Sequence, residues 1–172
     1  MGTGGGEFLL TLNHPYKNTS VTESWGPNVK LCKEKLEPLG VEVKEVFNDN
    51  ELPFEDDTFD IIINRHESFD IKEIKRILKV DGIFITQQVG GGNNEILSKA
   101  LIKDFKPLFL ESTLSNRLIE LRENKFNILQ AEEYFPYLRF TTLWHQYIYG
   151  KYCKIRRKPP TYLMDGFLIP II

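Results

Sequence analysis

Three glycines at alternate positions, Gly2, Gly4 and Gly6 in the opening stretch MGTGGGEFLL, form the first group whose spacing could do chemistry. Glycine admits positive φ, and without a Cβ its backbone approaches a ligand that other residues would repel. In open α/β sheets a turn of this kind lies beyond the carboxyl ends of the strands and cradles a ligand there. Thr3 falls inside that turn. The second group is acidic: Glu23 closes the run SVTESW, with Ser24 beside it. It lies about 20 residues beyond the first glycine, the interval at which a carboxylate reaches both hydroxyls of a ribose. Hydrogen bonds to an ionised carboxylate contribute roughly 1.5–3 kcal/mol each. The glycine spacing also discriminates between nucleotides. A dinucleotide fingerprint needs glycine or alanine where Glu7 stands. A carboxylate there would face a pyrophosphate badly, and an amino-acid group near the loop fits better.

Further along, NDNELPFEDDTFDIIIN sets Asn48 and Asp49 at a strand tip, ahead of a Leu52-Pro53-Phe54 turn. The two polar residues suit the edge of an adenine, and the apolar turn suits its face. His66 and Glu67 follow the run FDIIIN, where an acceptor pocket forms in such sheets. A histidine there can take a proton near neutral pH, although a hydrogen-bonded histidine at a strand end is the commoner role. His14 and His145 have no constellation around them.

These groups need elements to hold them. The apolar runs at 20–25, 59–64 and 82–89 are continuous rather than alternating, as in strands buried on both faces of a parallel sheet. The 41–47 run alternates and suits a strand nearer an edge. Between them, Val29, Cys32, Leu36 and Leu39 fall on one helical stripe, with Pro27 in the first turn and Gly40 as the stop. Ile71, Ile74, Ile77 and Leu78 form a second stripe, preceded by Asp70 and Glu73 at capping-box spacing. Helices are also expected from about Glu7 to Leu12, Asn94 to Phe105 and Leu114 to Glu123, with strands at 126–135 and 166–172. This alternation predicts a doubly wound α/β fold with a mostly parallel sheet.

The composition is consistent with that class. A chain of 172 residues, 41% hydrophobic, suits one packed domain. A net charge of −2 argues against a general nucleic-acid binder. Cys32 and Cys153 lie too far apart for a metal or disulfide framework. No apolar run reaches about 18 residues and no signal peptide is evident, so a cytoplasmic protein that does not engage membranes is expected. Residues 141–172 differ, gathering Lys151, Lys154, Arg156, Arg157 and Lys158 against Asp165. Their KYCKIRRK cluster has the composition of an RNA contact, but a solvated tail accounts for it more simply.

The series GTGGGEFLL, TESWGPNVKLCKEKL, NELPFEDDTFDIIINRHES and EIKRILKVDGIFITQQVGG resembles a class I S-adenosylmethionine-dependent methyltransferase, similar in particular to the type 11 methyltransferase domains. The resemblance covers about residues 1–140 and leaves 141–172 as a divergent segment. It implies a seven-stranded Rossmann-like sheet and S-adenosylmethionine as cofactor and methyl donor; the acceptor is not identified, and a small molecule is the expectation. Position by position, it gives Gly2, Gly4 and Gly6 the methionine part, Glu23 the ribose, Asn48 and Asp49 the adenine, and Asn64 and Arg65 the far side of the cofactor. Family members carry an Asp two residues before the first glycine, ending a central first strand. That position precedes Met1, so the expected sheet lacks this strand and exposes two edges open to self-association. The alternatives are a truncated, non-catalytic cofactor-binding fragment or pseudoenzyme and, less favoured because of Glu7, a nicotinamide-dependent oxidoreductase.

Overall fold

Val29, Cys32 and Leu36 recur at helical spacing and become the buried face of a helix, α2 (Gly26–Leu36). They do so in a computed structural model that describes residues 1–107, 109–135, 137–139, 161–163 and 166–171, those beyond 135 as backbone alone. A short helix, α1 (Glu7–Thr11), precedes strand β1 (Ser20–Glu23), and β2 (Glu42–Glu45) follows α2. β1 and β2 pair in parallel, Val21 opposite Val43. Val21, Cys32, Leu36, Val41 and Val43 make one core, against which Leu9, Leu10 and Tyr16 pack. Gly40, at φ 97°, turns the chain from α2 into β2, a left-handed conformation that favours glycine.

A second β-α-β unit consists of β3 (Phe59–Arg65), α3 (Ile71–Ile77) and β4 (Leu78–Val89), again with parallel strands. Ile71, Ile74 and Ile77 are the buried face of α3. Asp70 caps it, accepting from the Lys72 and Glu73 amides. The reciprocal half of the expected capping box is replaced. Glu73 instead accepts from the Leu52 amide and from Arg76, joining α3 to the Leu52–Asp56 turn.

Leu78 also departs from its helical stripe. It is extended (φ −84°, ψ 131°) and pairs with Phe59. The register then jumps to Ile61 opposite Ile83. Asp81, at φ 63°, takes part in the intervening bulge, so β4 begins four residues before the apolar run that announces it.

The expected α/β class with parallel strands is present. Among the described residues, however, β1–β2 and β3–β4 belong to separate sheets, because no strand lies between β1 and β3. The expected 94–105 helix is shorter, α4 (Glu95–Leu101), whereas α5 (Leu114–Glu123) has the expected bounds. The 126–135 strand contracts to β5 (Glu132–Tyr134). β5 pairs antiparallel with β8 (Gly166–Ile171), and β6 (Tyr137–Arg139) does so with β7 (Thr161–Leu163). Two compact units result: Met1–Gln87 with Leu121–Gln130 and Ile169–Ile172, and Gln88–Glu120 with Ala131–Leu168. The KYCKIRRK cluster, Cys153 and His145 lie outside the described residues. No helix of the described residues is long and apolar enough to cross a membrane.

Candidate functional site

The glycine loop lies in the first unit and is left-handed at three points: Gly2, Gly4 and Gly6 have φ of 63°, 59° and 82°. Space restricts two of them further. A Cβ on Gly2 would come within 2.6 Å of Glu67 Cβ, and one on Gly6 within 3.1 Å of Leu36 Cδ1. The loop is tied to β1 by Thr3, whose amide and hydroxyl both donate to the Thr22 carbonyl, at 3.4 and 3.3 Å. It is tied to α2 by Cys32, whose thiol donates to the Gly4 carbonyl at 3.1 Å. Burial raises the Cys32 pKa, which keeps the thiol protonated as a donor.

Glu23 is buried at the carboxyl end of β1. Its Oε2 accepts from the Gly4 amide at 2.8 Å and from Asn28 Nδ2 at 3.4 Å. Its Oε1 accepts from the Ser24 and Trp25 amides at 3.0 and 3.2 Å. A carboxylate offers about four acceptor positions, so all of them are taken by the protein itself. The predicted ribose acceptor thus also fastens the glycine loop to the start of α2.

Beside it lies a cleft of about 110 Å³, lined by Gly2, Glu23, Ser24, Asp49 and Glu67 among the predicted residues. Leu52, from the turn expected at the adenine face, also lines it, as do Phe47 and Ser68, which the sequence did not single out as site residues. Phe47 is 80% exposed, an apolar ring at the end of β2 with little to cover it. Ser68 donates to Asp49 Oδ2 at 2.5 Å. The Glu67 pKa is raised, by burial first and then by the charges of Glu23 and Asp49. Asn28, the remaining partner of Glu23, was also missed. Its signal is its place in the first turn of α2, within reach of the strand end before it.

The other predicted residues do not line this cleft. Asn48 is exposed, its side-chain oxygen accepting from the Asn50 amide. Asn64 is fully buried. It donates to the Ser68 carbonyl at 3.4 Å and accepts from Thr86 Oγ1 at 3.5 Å. Arg65 bonds Gln87 at 3.1 Å and lies 4.3 Å over the Phe8 ring. Arg65 and His66 line a second cavity, between β1 and β3, which adjoins the cleft and shares Met1, Gly2, Thr22 and Leu52 with it. His66 is left-handed, at φ 59°, and its amide donates to the Gln87 carbonyl. Burial first, then Arg65, lowers its pKa, so the imidazole is neutral at neutral pH.

The left-handed glycine cradle beside an acid-lined cleft fits S-adenosylmethionine, which carries a sulfonium and an ammonium. A dinucleotide fits less well, for a different reason than the sequence suggested. Glu7 pairs with Lys35 at 2.9 Å on the surface, which offsets its charge. But α1 has only five residues, too few to direct a full helix dipole at a pyrophosphate.

The methyltransferase domain family matches residues 1–86, half of the chain. No curated protein sequence matches it significantly. Among solved structures, the YcgJ protein of Bacillus subtilis superposes with a TM-score of 0.67 at 18% identity, over 99% of this chain and 88% of its own. A SAM-dependent methyltransferase of Aquifex aeolicus gives 0.54 at 17%, covering 99% and 79%. The [4+2]-cyclase SpnF gives 0.63 at 16%, covering 99% and 71%. At these identities the structures establish the Rossmann-like fold, and SpnF indicates that this fold serves other chemistry too. The family follows from the sequence match: the chain belongs to the class I S-adenosylmethionine-dependent methyltransferases, in the type 11 domain group.

Proposed function

We propose that the chain binds S-adenosylmethionine and directs methyl transfer to a small-molecule acceptor. The observation that carries this reading is the left-handed Gly2–Gly6 loop, fastened by buried Glu23 beside an acid-lined cleft. When bound, the cofactor supplies an electrophilic methyl group on its sulfonium. The loop would hold the amino-acid part. Glu23 would accept from the ribose hydroxyls in exchange for its longest bond, that to Asn28. Asp49 and Phe47 would meet the adenine, and Glu67 would face the positive charge. Alignment of donor and acceptor supplies most of the rate in such a reaction, about 7–11 kcal/mol. His66, neutral and outside the cleft, is then a modest base at most.

Calorimetric titration with S-adenosylhomocysteine and with NAD tests the reading. Preference for S-adenosylhomocysteine is expected, and tighter binding of NAD overturns it.

Transfer of labelled methyl from S-adenosylmethionine to any of a panel of small amines, thiols and phenols distinguishes this reading from a cofactor binder without turnover.

A further inference from the structure

Two loops that line the cleft beside Glu23 are joined by one hydrogen bond. Asp49 follows β2 and Ser68 follows β3, strands of different sheets among the described residues. Ser68 Oγ donates to Asp49 Oδ2 at 2.5 Å, a length that suits a hydroxyl on a carboxylate. Ser68 is itself placed from the interior: buried Asn64 donates to its backbone carbonyl at 3.4 Å and accepts from Thr86 of β4. Helix capping does not account for the hydroxyl, because Asp70 caps α3. Nor does stability require it. Ser68 is exposed, and at such positions losing a hydroxyl costs the fold little.

What the bond fixes is the orientation of one carboxylate. Ordering a free side chain at the moment of binding costs affinity, and the Ser68 bond orders Asp49 beforehand. An ionised carboxylate accepts and does not donate, at about four positions. Ser68 takes one of them, and no described residue donates to Oδ1. The neighbouring Asn48 oxygen is turned to the Asn50 amide, so Asp49 supplies the side-chain acceptors of this loop that line the cleft. Resting on the cofactor reading above, we infer that Ser68 is a positioning residue: it holds the Asp49 carboxylate to accept from the 6-amino group of the cofactor's purine. It thereby sets a preference for a 6-amino over a 6-oxo base. A carbonyl in that place would meet the carboxylate acceptor to acceptor, which a site built around one hydrogen bond rejects.

The test is calorimetric titration of the full chain with S-adenosylhomocysteine and with S-inosylhomocysteine, its 6-oxo analogue. The parent should prefer the first. Ser68→Ala should weaken S-adenosylhomocysteine by about three- to tenfold, the cost of ordering one side chain on binding, and leave the analogue's affinity unchanged. Ser68→Thr, which keeps the hydroxyl, should behave as the parent. In an Asp49→Ala background, Ser68→Ala should have no further effect. Comparing two ligands on one variant cancels any loss of folded protein. No preference in the parent, unchanged affinity in Ser68→Ala, or equal losses for both ligands overturns the inference while the cofactor reading stands. So does a Thr variant as weak as the Ala one, or a Ser68→Ala loss that persists without Asp49. Absence of S-adenosylhomocysteine binding by the parent overturns both.

Discussion

The carboxyl ends of β1 and β3 both reach the glycine loop, yet they are built in opposite ways. At the β1 end, one buried carboxylate gathers four donors from the loop, the strand end and α2. At the β3 end, Asn64 is buried among polar partners, His66 is left-handed and Glu67 ionises reluctantly beside two other acids. The first arrangement is satisfied and fixes a shape. The second holds a charge that the folded chain disfavours and that a bound cation would relieve. On the proposed function, the β1 end would position the cofactor and the β3 end would face its positive charge.

The largest effect expected from breaking this contrast is at Glu23. Glu23→Ala removes the acceptor of the Gly4, Ser24 and Trp25 amides, and lost charged bonds of about 1.5–3 kcal/mol each are only partly replaced by water. Cofactor affinity should fall by about 10–100-fold, a few kcal/mol by the same principle, and unfolding by denaturant should show reduced stability. If calorimetry gives unchanged affinity, the β1 end does not position the cofactor.

Asn64→Leu should act mainly on folding. It removes buried bonds to Ser68 and Thr86 and should cost about 1–3 kcal/mol. Because Ser68 carries the bond to Asp49, a smaller loss of cofactor affinity should accompany it. An affinity loss larger than that of Glu23→Ala would reverse the division of roles.

The sequence carried the β1 end well and the β3 end poorly, for physical reasons. A glycine at positive φ leaves a mark in composition because few other residues tolerate it, and an acid at a strand end has a fixed interval from the loop. Glu23 as loop fastener was less visible, since its four bonds depend on where Asn28 and the Gly4 amide arrive in space. Asn64 followed an apolar run like any strand-end polar residue, and only the fold shows it buried. The β4 start was hidden for a related reason. Leu78 continues a helical stripe, and its extended conformation is decided by pairing with Phe59 across the sheet. The two separate parallel pairs are a matter of sheet order, which local periodicity does not encode.

Glu67→Gln sharpens the comparison through pH. The folded pKa of Glu67 lies above its ordinary value, so between the two values the folded state binds more protons than the unfolded state. Stability therefore falls as pH rises through that window. Gln carries no such penalty. The variant should melt higher than the parent at pH 7 and match it below about pH 4, where the acid is protonated in both states. Cofactor affinity should move the other way, falling several-fold as the cation loses its counter-charge. Lower stability at pH 7 would show that the carboxylate is held by its surroundings rather than opposed by them.

The smallest effect is expected at His66. Asn tolerates left-handed backbone, whereas a β-branched residue there is a genuine outlier. His66→Asn should leave stability within about 0.5 kcal/mol, while His66→Val should lose about 1–2 kcal/mol. The lowered pKa of His66 adds a second signature. Between its folded value and 6.5 the unfolded state binds more protons, so stability rises with pH there and is lost as pH falls through the window. Replacing the imidazole by Asn should flatten that slope. Cofactor affinity should be unchanged by either variant once folding is allowed for, because His66 lies outside the acid-lined cleft. Calorimetry and melting curves from pH 5 to 7.5 on the parent and both variants check these expectations. A several-fold affinity loss in well-folded His66→Asn would bring the cavity between β1 and β3 into the cofactor site.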